Sequence, residues 1–134
     1  MAELIGNEGE VALITLPGQY NHELRVEGFK KTLEKEFPNI KIVAIGNGKS
    51  DQTEAAKVAA GFLQAHPNIK GIFATDSTSG VGVATAVKET NRLQDVKIVS
   101  FDTDKGTLDA IKQGIISASI AQGTYNMGYW SMNF

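Results

Sequence analysis

A chain of 134 residues is long enough for one domain with a buried core, and its 42% hydrophobic and 21% charged residues are ordinary for a globular protein. Thirteen basic and fifteen acidic residues give a net charge of -2 without a cluster of one sign, which argues against nucleic acid or an anionic membrane as a partner. The absence of cysteine excludes disulfides, thiol catalysis and thiolate metal sites.

Five short apolar runs alternate with four helical patterns along the chain. The runs are rich in Val, Ile and Ala and read VALITL, IKIVAIG, IKGIFAT, VKIVSF and ISASIA. Their nearly continuous apolar character predicts buried parallel strands. Apolar residues at spacings of three and four predict helices over residues 21–36, 52–65, 79–90 and 105–113, and Gly114 is the predicted C-cap glycine of the last one.

This alternation predicts an α/β fold with right-handed crossovers. We expect an open, doubly wound, Rossmann-like parallel sheet of five strands in the flavodoxin-like order 2-1-3-4-5, in three α/β/α layers, because five units are too few for a barrel. Residues 1–134 then form a single lobe with its core at about residues 8–122. The chain has no apolar run of membrane-spanning length, and its first ten residues lack the basic start and apolar centre of a signal peptide.

The segment IGNGKSDQ, residues 45–52, contains the GKS of a phosphate-binding loop. A P-loop also needs a glycine five positions before the second one, and that position is Val43, inside an apolar run. The segment therefore predicts a helix start, with Asp51 and Glu54 as a capping box and Gly46 and Gly48 as turn residues. Lys49 is then a solvated loop lysine.

The predicted topology places the candidate site. Ligands of open α/β sheets bind at the carboxyl ends of the strands, where the strand order reverses. The side chains expected there are the planar guanidinium of an arginine as donor, two carboxylates as acceptors, and two amides, which both donate and accept. They belong to Arg25, Asp76, Asp102, Gln122 and Asn21. Capping of the helices that follow is the alternative role of the two aspartates.

Other sites find less support. His22 and His66 have no partners at metal-ligand spacing and are predicted to be surface residues. Gly80 and Gly82 lie inside a predicted helix without the third glycine of a dinucleotide-binding motif, which favours close packing. A receiver-like phosphoacceptor would need an acidic pair after the first strand and a lysine after the fifth, and both are missing. No catalytic group, metal or cofactor is predicted.

Four motifs together suggest a family. RVEGF, KGIFATDSTSGVGVATAV, KIVSFD and IKQGIISASIAQGTYNMGY resemble, in order and spacing, the second lobe of periplasmic sugar-binding proteins of the ribose/galactose type. The resemblance covers residues 8–130. The same lobe occurs in the effector domain of lactose-repressor-type regulators, which remains an alternative. The resemblance implies a non-catalytic lobe in which Arg25, Asp76, Asp102 and Gln122 hydrogen-bond sugar hydroxyls.

Two residues depart from the family pattern. Asp76, followed by Ser77, stands where the family has asparagine followed by aspartate, and Ser100 replaces the glycine of a GFD motif. The first change removes amide donors and adds a charge, which leaves the identity of the sugar open.

The resemblance also implies partners and a location. The ligand would be a small sugar or polyol, and the parent protein would be a periplasmic or extracellular component that docks on the membrane permease of an ABC transporter. Residues 123–134 contain Tyr125, Tyr129, Trp130 and Phe134. They would form a truncated crossover helix that packs on a missing first lobe, or would bury these rings in a homodimer.

Overall fold

The computed structural model describes residues 1–123, 127, 131 and 132. The elements in chain order are α1 (Ala2–Ile5), β1 (Gly9–Thr15), α2 (Tyr20–Glu36), β2 (Ile40–Asn47), α3 (Gln52–Ala65), β3 (Ile69–Ala74), α4 (Ser77–Glu89), β4 (Lys97–Phe101), α5 (Lys105–Lys112) and β5 (Ala118–Ile120). The helices that the sequence predicts are confirmed to within two residues at each end. The short helix α1 was missed, because four residues make one turn and show no periodicity.

The sheet has the predicted topology. Within the described residues, five parallel strands pair in the order β2-β1-β3-β4-β5. Side chains of the interior strand β1 alternate between its faces, and Val11, Ala12, Leu13 and Ile14 are all fully buried. A strand buried on both faces explains why its sequence is continuously apolar rather than alternating.

Helices cover both faces of the sheet. One core cluster joins Ala12 and Ile14 of β1 to buried residues of α3, α4 and α5. On the opposite face Val11 and Leu13 belong to clusters that include residues of α1 and α2. There the rings of Phe29 and Phe73 stack with centroids 4.9 Å apart. The three-layer arrangement follows from this division of the apolar side chains.

Only one of the two glycines predicted for the turn between β2 and α3 belongs to it: Gly48 is the first residue of the turn, and its carbonyl accepts the backbone N–H of Asp51 at 2.9 Å. Gly46 lies within β2, where an added Cβ would come within 2.7 Å of the Phe62 ring. Gly48 is buried, and a Cβ there would lie 2.7 Å from the side chain of Ile14. Both glycines permit close packing, and the two central residues of the turn are Lys49 and Ser50, at φ angles of 54° and 48°.

Asp51 is the N-cap of helix α3, as predicted. The Asp51 carboxylate accepts the backbone N–H of Glu54 at 2.8 Å. The reciprocal half of a capping box is absent, because the backbone N–H of Asp51 donates to Gly48 and the Glu54 carboxylate pairs with Lys49 and Lys57. The C-cap residue of α5 is Gln113, and the predicted glycine Gly114 follows it in the left-handed conformation, with φ 73°, that ends many helices.

The predictions for the aromatic tail concern Tyr125, Tyr129, Trp130 and Phe134, which lie outside the described residues. Met127, which is described, donates its backbone N–H to the carbonyl of Gly123. No helix in the described part of the chain has the length and apolar content needed to cross a membrane.

Candidate functional site

Arg25 connects two of the predicted site positions. It lies one and a half turns into α2, and its Nη1 donates to the carbonyl oxygen of Thr75 at 2.6 Å. Its guanidinium carbon lies 3.7 Å from the centre of the Phe101 ring. Thr75 directly precedes Asp76, and Phe101 directly precedes Asp102, so one side chain bridges the ends of β3 and β4.

The guanidinium of Arg25 retains donors for a ligand. It makes a cation–π contact with Phe101 and uses one N–H on Thr75, whereas an arginine has five N–H donors. Within the described residues Arg25 forms no ion pair. The side chain is half-buried, which makes its remaining hydrogen bonds stronger than those of a fully solvated arginine.

Asp76 is a helix cap. Its Oδ1 accepts the backbone N–H of Ser79 at 2.8 Å, and its Oδ2 accepts the Ser79 hydroxyl at 2.9 Å. The capping interpretation is therefore correct for this aspartate. Each carboxylate oxygen still has a second acceptor position, so capping and ligand binding are compatible.

Asp102 has a different role. It adopts a left-handed backbone conformation with φ 67°, which is uncommon for a residue other than glycine. Its backbone N–H donates to Ile120, its carbonyl accepts the Ser119 hydroxyl, and its carboxylate accepts from Nε2 of Gln122. The cap of α5 is Asp104, which accepts the backbone N–H of Thr107, so the capping interpretation is wrong for Asp102.

Asp102 and Asp104 form a matched pair for mutagenesis. Asp102→Asn keeps a residue that tolerates the left-handed conformation and removes the charge, so we expect the affinity for a ligand bound at these strand ends to fall about ten-fold with little change in stability. Asp104→Ala should lower the free energy of unfolding by about 1 kcal/mol and leave affinity unchanged. Urea unfolding and calorimetric titration of both variants check this prediction. A loss of stability in Asp102→Asn together with a loss of affinity in Asp104→Ala would contradict it.

The fourth and fifth predicted residues differ in their contacts. The exposed Gln122 side chain reaches Asp102, which links the end of β5 to the end of β4. Asn21 is exposed in the first turn of α2, and no hydrogen bond joins its side chain to another described residue. The structure thus brings Arg25, Asp76, Asp102 and Gln122 to one rim, whereas no hydrogen bond joins Asn21 to any of them.

The prediction that His22 is a surface residue is wrong. The side chain is only 7% exposed, and its Nδ1 lies 2.7 Å from the Thr75 hydroxyl oxygen. The Thr75 hydroxyl in turn donates to the Thr15 hydroxyl at 3.1 Å. The spacing of His22 and Arg25, three residues apart on one helix, was the available signal, because it places both side chains on the same face.

Burial changes the acid–base behaviour of His22. Desolvation lowers its pKa below the ordinary 6.5; the positive charge of Arg25 acts in the same direction, and Asp76 and Asp102 oppose it. The folded protein therefore favours the neutral imidazole, and the unfolded chain takes up a proton more readily. Stability that is present above about pH 6.5 should be lost as pH falls towards the lowered pKa.

We expect His22→Asn to remove this pH-dependent loss of stability, because an amide does not titrate in this range. His66→Asn should retain the loss and serves as the control. Thermal unfolding between about pH 8 and about pH 5 measures the effect. An unchanged pH dependence in His22→Asn would show that another group is responsible.

Ser100 stands in place of the glycine of the GFD motif, and its side chain has a packing partner and a hydrogen-bond partner. It is fully buried in β4 and its hydroxyl donates to the carbonyl of Asp76 at 3.5 Å. A Cβ built on Gly80 of α4 would overlap the Ser100 hydroxyl. Gly80 therefore packs closely against the sheet, as predicted, whereas Gly82 packs against the backbone of α3 at Gln52.

A concavity on the α1/α2 face of the sheet adjoins the rim. It is an apolar groove of about 720 Å³ between these helices and strands β3 to β5, and its lining includes Leu24, Phe73 and Ile120. Arg25 and Phe101 border it and also belong to the rim. The groove meets the rim at these two residues.

The fold is an open parallel α/β sheet, and polar side chains that follow separate strands lie at the carboxyl edge where proteins of this architecture bind ligands. The sequence matches the model of the periplasmic binding protein domain over residues 1–134. The chain belongs to this family.

Named relatives are binding proteins. The chain is 33% identical to a D-apiose import binding protein of Paraburkholderia graminis, over 90% of this chain and 35% of that protein. It is 32% identical to the D-allose-binding periplasmic protein of Escherichia coli, over 90% of this chain and 39% of that protein. The chain thus spans little more than a third of the length of these relatives.

Solved structures agree closely with the fold. A sugar-binding protein of a sugar ABC transporter from Bacillus halodurans superimposes with a TM-score of 0.97 and 55% identity, over 99% of this chain and 46% of that chain. An arabinose-binding protein from Geobacillus stearothermophilus gives a TM-score of 0.96 and 48% identity, over the same shares. The topology predicted from the sequence is therefore that of sugar-binding proteins.

Proposed function

We propose that this chain is the sugar-binding second lobe of a two-lobe solute-binding protein that serves an ABC transporter. The observation that carries the proposal is the bridge made by Arg25, which contacts the residues preceding both Asp76 and Asp102. This bridge brings the guanidinium donors of Arg25 and the acceptor carboxylates of Asp76 and Asp102 to one rim. The lobe works by binding and not by catalysis, and the parent protein resides in the periplasm or at the cell surface.

The chemistry of the rim suits a neutral polyol. Each sugar hydroxyl both donates and accepts, so a carboxylate that accepts two hydroxyl hydrogens beside an arginine that donates two N–H bonds matches a vicinal diol. Such charge-assisted bonds contribute roughly 1.5 to 3 kcal/mol each. Gln122 already bonds to Asp102, which orients this carboxylate before a ligand arrives.

The proposal of a second lobe is supported by coverage. The chain accounts for 46% of the chain length of two solved sugar-binding proteins while matching 99% of its own residues. A cleft between two lobes would enclose the sugar and exclude water, whereas the single rim offers one wall. A permease of the ABC transporter would then be the partner of the longer protein.

Calorimetry of the longer protein that carries this lobe, against a panel of pentoses, hexoses and polyols, tests the proposal. We expect saturable binding of at least one sugar, and loss of it when Arg25 is replaced. Titration of buffer without sugar and titration of a panel of amino acids serve as controls. Flat traces with every sugar from a folded protein would contradict the proposed function.

A further inference from the structure

Thr75 directly follows β3, is fully buried, and has a partner for each of its polar groups. Its backbone N–H donates to the carbonyl of Ile14 at 3.0 Å, and its carbonyl accepts Nη1 of Arg25 at 2.6 Å. Its hydroxyl oxygen lies 2.7 Å from Nδ1 of His22 and 3.1 Å from the hydroxyl oxygen of Thr15. Thr75 therefore connects β1, β3 and α2 at one point.

Two of these contacts reach the same helix. His22 and Arg25 stand three residues apart in α2, and they hold Thr75 by its hydroxyl and by its carbonyl respectively. A hydroxyl and an imidazole nitrogen can form their hydrogen bond with either group as the donor. Whichever atom supplies the hydrogen, this bond fixes the distance between the first turn of α2 and the end of β3.

The first turn of α2 has few other attachments to the sheet. Its N-cap residue makes no side-chain capping bond, and the side chains of Tyr20 and Leu24 are exposed. Apolar packing of α2 on the core clusters begins at Val26 and continues towards the end of the helix. Before that point, the side chain of α2 that is buried is His22, and its hydrogen bond goes to Thr75.

The orientation of Arg25 depends on this attachment. Its guanidinium reaches the carbonyl of Thr75 and lies 3.7 Å from the centre of the Phe101 ring at the same time. A shift of the first turn of α2 away from β3 would break this double contact and free the side chain. A guanidinium that is already held loses less conformational entropy when a ligand binds to it.

We propose that Thr75 is a positioning residue of the sugar site: its hydroxyl anchors the first turn of α2 through His22 and thereby holds the guanidinium of Arg25 ready for the ligand. This role rests on the proposed function. Because Thr75 is fully buried, it acts on the sugar through Arg25 and not by contact. Loss of its hydroxyl therefore weakens sugar binding only while Arg25 is present.

Two substitutions isolate the hydroxyl. Thr75→Val removes it at nearly constant shape, and Thr75→Ser retains it. We expect Thr75→Val to bind sugar about 3- to 10-fold more weakly and Thr75→Ser to stay within about 2-fold of the original protein. In an Arg25→Met background, Thr75→Val should change affinity by less than about 2-fold, since an indirect role requires the guanidinium. Calorimetry of the longer protein with D-arabinose, D-allose and D-ribose as probes measures these affinities.

Thr15→Val is the matched control. Thr15 is also buried, its hydroxyl contacts the same hydroxyl of Thr75, and no hydrogen bond joins it to α2. Its replacement breaks the pair of hydroxyls but leaves the contact between Thr75 and His22 in place. We expect Thr15→Val to lose stability in urea without losing sugar affinity.

A readout that needs no sugar is nitrogen-15 NMR of the arginine side chains, of which the chain has two. We expect hindered rotation of the Arg25 guanidinium, seen as separate signals of its two Nη groups, in the original protein, Thr15→Val and Thr75→Ser. In Thr75→Val the rotation should become faster and the two signals should merge. Arg92, which donates to the carbonyl of Pro67, is the internal control and should not change.

The outcomes separate the two proposals. If folded Thr75→Val keeps a restrained Arg25 or the original affinity, or loses as much affinity in the Arg25→Met background, the role of Thr75 is overturned and the proposed function stands. An equal loss of affinity in Thr15→Val would overturn it as well. If no sugar binds to the original protein, the proposed function fails, and the role of Thr75 in sugar binding fails with it even where the NMR signals show that Thr75 restrains Arg25.

A second variant covers the case in which Thr75→Val does not fold. His22→Phe removes the same contact from the helix side, and the hydroxyl of Thr75 keeps Thr15 as its partner. We expect the same release of the Arg25 guanidinium and the same loss of affinity. Unchanged Arg25 signals in folded His22→Phe would overturn the positioning role.

Discussion

Replacing Arg25 with methionine should lower sugar affinity by about 10- to 100-fold, the largest functional loss that we expect from a single substitution at the rim. Methionine has a similar length and can still pack on the Phe101 ring, so the apolar contact is largely kept. What is lost is the cationic fork that bridges the ends of β3 and β4. The carbonyl of Thr75 also loses its charged donor.

Arg25→Lys tests whether charge alone is sufficient. Lysine keeps the positive charge but not the planar fork, so we expect an intermediate affinity. Titration calorimetry gives the affinities, and urea unfolding shows how much of the loss comes from stability. A folded Arg25→Met protein with unchanged affinity would exclude Arg25 from the sugar site.

Gly80→Ala should produce the largest loss of stability among simple substitutions near the rim. Its added methyl group would overlap the hydroxyl of the fully buried Ser100, so α4 or β4 must shift. Overpacking of this kind typically costs 1–3 kcal/mol, roughly, in free energy of unfolding. The strand end at Asp76 would move too, because Ser100 bonds to its carbonyl.

The double variant Gly80→Ala/Ser100→Gly supplies the critical comparison. Removing the serine side chain makes room for the methyl group, so most of the lost stability should return, and the coupling between the two positions should be large. Gly61→Ala in α3 is the matched control, because nothing lies within 4 Å of its added Cβ. It should be neutral or stabilise the protein by up to about 1 kcal/mol. Equal losses in the single and double variants would contradict the packing explanation.

The strands and helices could be predicted because burial leaves a periodic trace in the sequence. β1 is apolar at every position since both of its faces are covered, and α3 begins at Asp51 because its carboxylate satisfies a backbone N–H that the helix leaves free. The reversal of strand order then placed Arg25, Asp76 and Asp102 at one edge. These features depend on local pattern and on general rules of chain connection.

The roles of individual polar residues could not be predicted in this way. Asp76 and Asp102 both follow strands, yet Asp76 caps its helix and Asp102 is held in a left-handed conformation while Asp104 caps the next helix. His22 has polar neighbours in the sequence and is nevertheless buried. Its hydrogen-bond partner in the interior is Thr75, which lies 53 positions away in the sequence. Pattern analysis does not detect a single contact of that separation.

The sequence by itself determined the alternation of elements, the parallel sheet and the rim to which the site residues belong, because each depends on hydrophobic periodicity and chain connectivity. Only the tertiary structure decided which carboxylate caps a helix, that Gly80 faces Ser100, and that His22 and Arg25 hold Thr75 from the same helix face. These facts depend on side-chain contacts between distant segments, which form only when the packed helices and strands bring those segments together.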